Sequence, residues 1–335
     1  MNELLKSILD GIYSIVNNYG LSIIFFTLLI KLCLLPLDYK SRKGMRKMST
    51  LAPKQAELQK KYGHDQDKLN RKMQELYKKE GASPLAGCWP MLLSMPILFA
   101  MYGAMRYMAN EQLVQQTFDI LLGNEPVLES WLWIKNLWMP DSPFAAAWPD
   151  LNSLNLIPAD IWQKAITALP AETVDALSGA VQSATGTVIS YESFGTNLRG
   201  SIEAIYNTMA AMPTYVDQVS PLPGWNFNLI FTTVSVVKNF NGWFLLPLLS
   251  AGSQYLMTAM QPTQAEGQQN STGNFMKWFF PLFTLYLCFS YTAAFALYWV
   301  ASNLIAMVQN WGINKYLDMK EKKAADTVAV EGKVK

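Results

Sequence analysis

Apolar residues along this chain gather into long blocks, and the stretches between them differ sharply in charge. The first block, Leu21–Leu37, has the length of a bilayer-crossing helix, which takes about 20 residues. The same pattern predicts membrane spans at residues 19–37, 84–108, 241–260, 275–290 and 292–311. Residues 1–18 place Leu4, Leu5, Ile8, Ile12, Tyr13 and Ile15 in a helical stripe broken by Lys6, Asp10 and Asn17. That stripe is too interrupted to span. It suits a helix lying in the bilayer interface, or the lead-in to the first span. Glu3 beside Lys6 and the lack of an A-x-A site argue against a cleaved signal, and no organellar transit peptide is visible.

Residues 38–83 hold 13 of the chain's 27 basic residues, so they are expected in the cytoplasm. Met45, Met48, Leu51, Leu58 and Tyr62 trace one helix, and Leu69, Met73, Leu76 and Tyr77 a second. Pro53 should interrupt the first, Asp65 should cap the second and Gly81 should end it, giving a basic helical hairpin. Residues 109–240 reverse the balance, with 12 acidic side chains against four basic ones, and are expected outside. Pro158-Ala159-Asp160 and Pro170-Ala171-Glu172 read as helix starts, so this insert is expected to be helical. Trp131, Trp133, Trp138 and Trp148 suggest an interfacial or aromatic-packed segment near the bilayer. Phe227–Val237 is too short to span and reads as a strand or as a lead-in to the third span. Residues 261–274 form an uncharged-to-weakly-charged cytoplasmic loop, with Lys277 just beyond it. Residues 312–335 form a basic cytoplasmic tail, expected to be largely disordered. The sum is an all-α polytopic protein of five spans, N-terminus outside and C-terminus in the cytoplasm.

Composition supports this class. The hydrophobic fraction is 51%, mean hydropathy is +0.10, and charged residues make up 16%, below the roughly 25% of soluble domains. Cys33, Cys88 and Cys288 all lie in apolar segments with no CxxC or Cys/His spacing, so neither disulfides nor zinc is indicated. One histidine, His64, no acidic pair within a span and no nucleophile motif argue against an enzyme, a cofactor or a metal site.

The candidate chemistry is polar side chains inside spans. Lys31 is a cation within an apolar run, and an intramembrane charge usually faces a polar cavity. The bland alternative is snorkelling: Lys31 stands seven residues before Asp38, about 10 Å along a helix. Ser94, Gln254, Tyr291, Thr292, Tyr298, Trp299, Ser302 and Asn303 each suit helix packing when taken singly. Together with Lys31 they can line a wet cavity. No internal repeat or paired intramembrane charge marks an ordinary transporter, and no repeated pore-lining pattern marks a channel.

Several local motifs resemble the YidC/Oxa/Alb membrane protein insertases. Ile30-Lys31…Leu35-Pro36-Leu37 resembles the family's first core span, and Met48…Leu51-Ala52-Pro53 the start of its hairpin. Ser83-Pro-Leu-Ala-Gly-Cys-Trp-Pro90…Met95-Pro96-Ile97 is the most specific match, and Leu297-Tyr298-Trp299…Ser302-Asn303 is similar to its last span. The resemblance covers about residues 15–110 and 240–315 and leaves out the insert, 112–238. Three features depart from the pattern: Lys31 stands in place of arginine, Ser94 in place of glutamine, and Ser290-Tyr-Thr-Ala-Ala294 lacks a Pro-Gly pair.

The resemblance implies a five-helix bundle with a hydrophilic groove open to cytoplasm and lipid. It implies substrate contacts from Lys31, Ser94, Gln254, Tyr298, Trp299 and Asn303. Implied partners are nascent membrane proteins, the lipid bilayer, a ribosome or targeting machinery at the hairpin and tail, and a Sec-type channel. No specific nucleic-acid readout is indicated. The expected setting is a bacterial plasma membrane. Two other classes fit the same sequence: a small-solute or ion transporter binding at Lys31, and a membrane anchor for the external insert.

Overall fold

A computed structural model describes residues 2–82, 89–228, 233–260 and 271–331. Its element order is α1 (Asn2–Val16), α2 (Tyr19–Thr50), α3 (Ala52–Tyr62), α4 (Gln66–Glu80), α5 (Trp89–Leu121), α6 (Leu151–Asn155), α7 (Ala159–Thr167) and α8 (Ala171–Thr185). There follow α9 (Tyr191–Thr196), α10 (Leu198–Ala210), α11 (Pro213–Val219), β1 (Pro221–Asn228), β2 (Thr233–Val237), α12 (Leu245–Ala259), α13 (Ser271–Ser290) and α14 (Ala293–Glu331). The fold is mostly helical, and β1 and β2 pair antiparallel. The chain forms two compact units. One comprises Met1–Ile24, Ala100–Leu249 and Leu285–Tyr298, the other Phe25–Phe99, Ser250–Thr284 and Trp299–Lys335.

In the second unit, α2 runs on through Pro36 to Thr50, past the expected span end at Leu37. Among the described residues it is the one helix long and apolar enough to cross a membrane by length and hydropathy. Pro53 sits in the first turn of α3, where a missing N–H costs nothing, so the break falls between α2 and α3. The Asp65 side chain accepts from the Lys68 N–H at the start of α4, and Gly81, at φ 55°, closes its end. Lys54 Nζ meets Glu80 at 2.7 Å and Lys47 Nζ donates to the Gly81 carbonyl at 3.0 Å, so α3 and α4 lie antiparallel. The expected disordered tail is corrected: α14 stays helical to Glu331. Residues 315–331 carry many helix formers and no Gly or Pro, and Arg46 pairs with Asp318 and Glu321.

In the first unit, the insert is not wholly helical, because Pro221–Asn228 and Thr233–Val237 pair as the antiparallel strands β1 and β2. Pro158 and Pro170 are the N-cap residues of α7 and α8. The insert's core stacks Trp162 on Phe194 at 5.2 Å and places Phe118 5.9 Å from Trp162. Leu154, Ile161, Leu177, Val181, Ile205 and Met209 are buried around them. Trp138 and Trp148 are buried packing residues, Trp138 with the Tyr19 ring edge-on at 5.1 Å. Helix α5 continues beyond residue 108 to Leu121, so its 33 residues reach about 50 Å, well past a hydrocarbon core of about 30 Å.

Candidate functional site

The polar residues of the second unit line up by helical period. On α14, Trp299 and Asn303 are four residues apart and share a face. Both donate to one acceptor on α12: Trp299 Nε1 and Asn303 Nδ2 each lie 3.3 Å from Gln254 Oε1. Asn303 Nδ2 also donates to Ser253 Oγ at 3.1 Å, and Ser253 Oγ donates to the Ser250 carbonyl at 3.0 Å. Further along α14, Gln309 Nε2 donates to the backbone carbonyl of Lys31 at 3.0 Å. Asn310 Oδ1 accepts from Arg42 Nε at 2.8 Å, and its amide reaches Met257 Sδ at 3.8 Å. The result is a polar seam joining α2, α12 and α14 inside otherwise apolar helices.

Gln254, Trp299 and Asn303 are therefore brought together. Lys31 stands on α2 at the same seam, half-buried, its carbonyl tied to Gln309. Among the described residues its ammonium joins no ion pair. Tyr298 is buried in the first unit with its ring 6.5 Å from Phe295. It is one position off the Trp299–Asn303 face, a turn of about 100°. Ser94 lies on the backbone of α5, but its side chain is outside the described residues, as are Ser83–Cys88 of the most specific motif. Sequence reasoning missed Ser253, Arg42, Gln309 and Asn310. For Asn310 the signal was the spacing Trp299, Asn303, Asn310 on α14, and for Arg42 the spacing Thr27, Lys31, Asp38, Arg42 on α2, each one helical stripe; Ser253 and Gln309 lie on neither.

The start of α12 is fixed within the first unit. Asp141 is fully buried and its carboxylate accepts from the N–H groups of Phe244 at 3.0 Å and Leu246 at 2.6 Å. Trp133 Nε1 also donates to it at 3.3 Å. An anion at a helix N-terminus satisfies donors that have no partner within the helix. Two buried asparagines hold the loop that carries Asp141. Asn241 Nδ2 donates to the carbonyls of Asn136, Met139 and Pro140, while Asn241 Oδ1 accepts from the Asn136 N–H. The same loop takes the N–H groups of Ala293 and Ala294 through the carbonyls of Met139 and Leu137, which fixes the first turn of α14. Arg106 donates to Tyr102 Oη at 2.8 Å and to the Leu156 carbonyl at 3.1 Å.

A mostly helical membrane protein with polar side chains threaded through apolar helices is the class these features define. More particularly, the chain belongs to the 60Kd inner membrane protein family, the YidC/Oxa family, whose model matches residues 11–193 and 201–322. The match runs through the insert, so the family likeness is wider than the local motifs suggested. A membrane protein insertase YidC of Wolinella succinogenes is 47% identical over 95 residues, covering 28% of this chain and 18% of that protein. The YidC of Helicobacter pylori is 46% identical over 95 residues, with 28% and 17% covered. That of Geotalea daltonii is 39% identical over 138 residues, with 41% and 23% covered. The chain thus matches about a fifth of the length of these curated relatives.

Proposed function

We propose that this chain is a membrane protein insertase that also helps its clients fold, working through a hydrophilic groove along the polar seam. The observation that carries the proposal is the shared acceptor Gln254 Oε1, held by Trp299 and Asn303, beside a cation-bearing α2. Family membership and the printed names of the relatives support it. Lys31, Gln254, Trp299 and Asn303 are proposed as groove residues, with Ser94 and Tyr298 as further substrate contacts.

Moving one polar or charged group through hydrocarbon costs several kcal/mol. A wet groove shortens that path. Lys31 would attract an acidic translocated segment by about 1–4 kcal/mol at 4 Å, for dielectrics between water and a protein surface. No nucleotide or covalent step is required. Directionality comes from burying the client's apolar helix in lipid. The proposed topology has five spans, an external N-terminus and a cytoplasmic C-terminus in a bacterial plasma membrane. The basic α3–α4 pair and the end of α14 would then face a ribosome or targeting factor, and a Sec-type channel is a further proposed partner.

The test is insertion of a small tail-translocating membrane protein into proteoliposomes holding the purified chain. Wild type and Lys31→Arg should insert it, and Lys31→Leu should lose most activity. Equal insertion by all three would leave Lys31 a snorkelling residue. No insertion above empty liposomes by any of them would overturn the function.

A further inference from the structure

The β1–β2 hairpin of the insert has two unlike faces. Phe227 pairs with Val234, and Val236 shares their face by the two-residue period; the register breaks between Pro221 and Asn226, and Trp225 stands in that irregular stretch next to the Phe227 face. Asn226 pairs with Ser235 and Asn228 with Thr233 on the other face, where Thr233 Oγ1 donates to Asn228 Oδ1 at 2.8 Å. No charged residue occurs from Gln218 to Val237, and the flanking charges, Asp217 and Lys238, pair with each other at the base. The apolar face is only partly covered. Val236 is buried and Phe227 meets the edge of Phe144 at 6.1 Å, yet Trp225 is 59% exposed and Phe227 46%.

Its position decides what covers that face. Seven residues, 238–244, join β2 to α12, a tether of at most about 25 Å. The chain around the start of α12 exposes Trp243, Leu245, Leu248 and Leu249, so exposed apolar surface resumes directly after that tether. A soluble surface gains nothing from such a ribbon, whereas the bilayer interface favours a Trp-bearing apolar face opposite an uncharged amide and hydroxyl face. We propose that the β1–β2 hairpin lies in the bilayer interface beside the entry of α12, Trp225 and Phe227 toward the acyl chains and the Asn226–Ser235 face toward the headgroups. This rests on the membrane reading above. Because the ribbon carries no charge, its contact with lipid depends on apolar burial and not on anionic headgroups.

The experiment places the photoreactive residue benzoylphenylalanine singly at Trp225, Phe227, Asn226, Glu172 or Leu29 in the full chain, reconstituted in vesicles of radiolabelled phosphatidylcholine. The replacements at 225 and 227 are aromatic for aromatic, which spares the fold. Lipid adducts at 225 and 227 should approach the yield at Leu29, which is exposed on α2, and exceed those at Asn226 and Glu172 several-fold. Adding phosphatidylglycerol should leave the yields unchanged. Adducts at Leu29 but none at 225 and 227, or cross-links there only to protein, would overturn the hairpin proposal alone. No lipid adduct at Leu29 either would overturn the membrane reading and the hairpin proposal with it.

Discussion

At the scale of single residues, Asp141 does the most to set where a helix begins. Its carboxylate takes two backbone N–H groups and the Trp133 indole in a fully buried site, so Asp141→Ala leaves three donors without an acceptor. The expected loss is about 3 kcal/mol, read as a lower denaturation midpoint in detergent. Gly242→Ala tests the same contact from the other side, because a Cβ there would stand 2.0 Å from Asp141 Oδ1 and 2.9 Å from Ile134 Cδ1. It should destabilise too, and a double variant should cost less than the sum of the two. Unchanged midpoints would mean that α12 is anchored elsewhere.

At the scale of elements, Glu111 gathers α1, α5 and α7. Lys6 and Lys164 both bond its carboxylate, and Lys164 also donates to Tyr107 Oη at 2.6 Å. Burial alone raises this carboxyl, but the hydrogen bonds from Lys6 and Lys164 outweigh it and hold it below the ordinary 4.5. The Tyr107 and Glu111 bonds push the Lys164 ammonium above its ordinary value. A depressed carboxyl stabilises the fold above its unfolded pKa and loses that contribution as pH falls through the folded value. Glu111→Gln should therefore cost about 1–2 kcal/mol at neutral pH, since the pairs are partly exposed. The gap from wild type should stay flat between about pH 6 and 9 and close only below 4.5. A gap that widens on acidification would contradict this linkage.

At the scale of the whole molecule, insertase and anchor readings predict opposite outcomes for the helical insert. Replacing residues 151–219 by a flexible linker of about eight residues removes α6–α11 and keeps the Asn136–Asn241 loop and Asp141. If insertion depends on the seam of α2, α12 and α14, client insertion in proteoliposomes should be largely retained. Loss of function on this deletion, with Lys31→Leu silent, would instead favour an anchor whose business is the insert.

Elements whose causes are local can be read from the sequence alone. An apolar run of bilayer length makes α2, Pro53 separates α2 from α3, Asp65 and Gly81 bound α4, and Pro158 and Pro170 precede α7 and α8. Polar residues in apolar runs also marked Gln254, Trp299 and Asn303, because desolvating such groups demands a partner. Which partners those are emerges only in the folded chain. Ser253, Gln309, Asn310 and Arg42 entered the seam through contacts spanning 50 to 278 positions; a helical stripe places a residue on a face but does not name its partner. The same holds for Asp141, 105 residues before the Leu246 N–H it receives, and for Glu111, whose lysines lie 105 residues before it and 53 after. Charge and hydropathy fix what a residue needs, and packing alone fixes where the need is met.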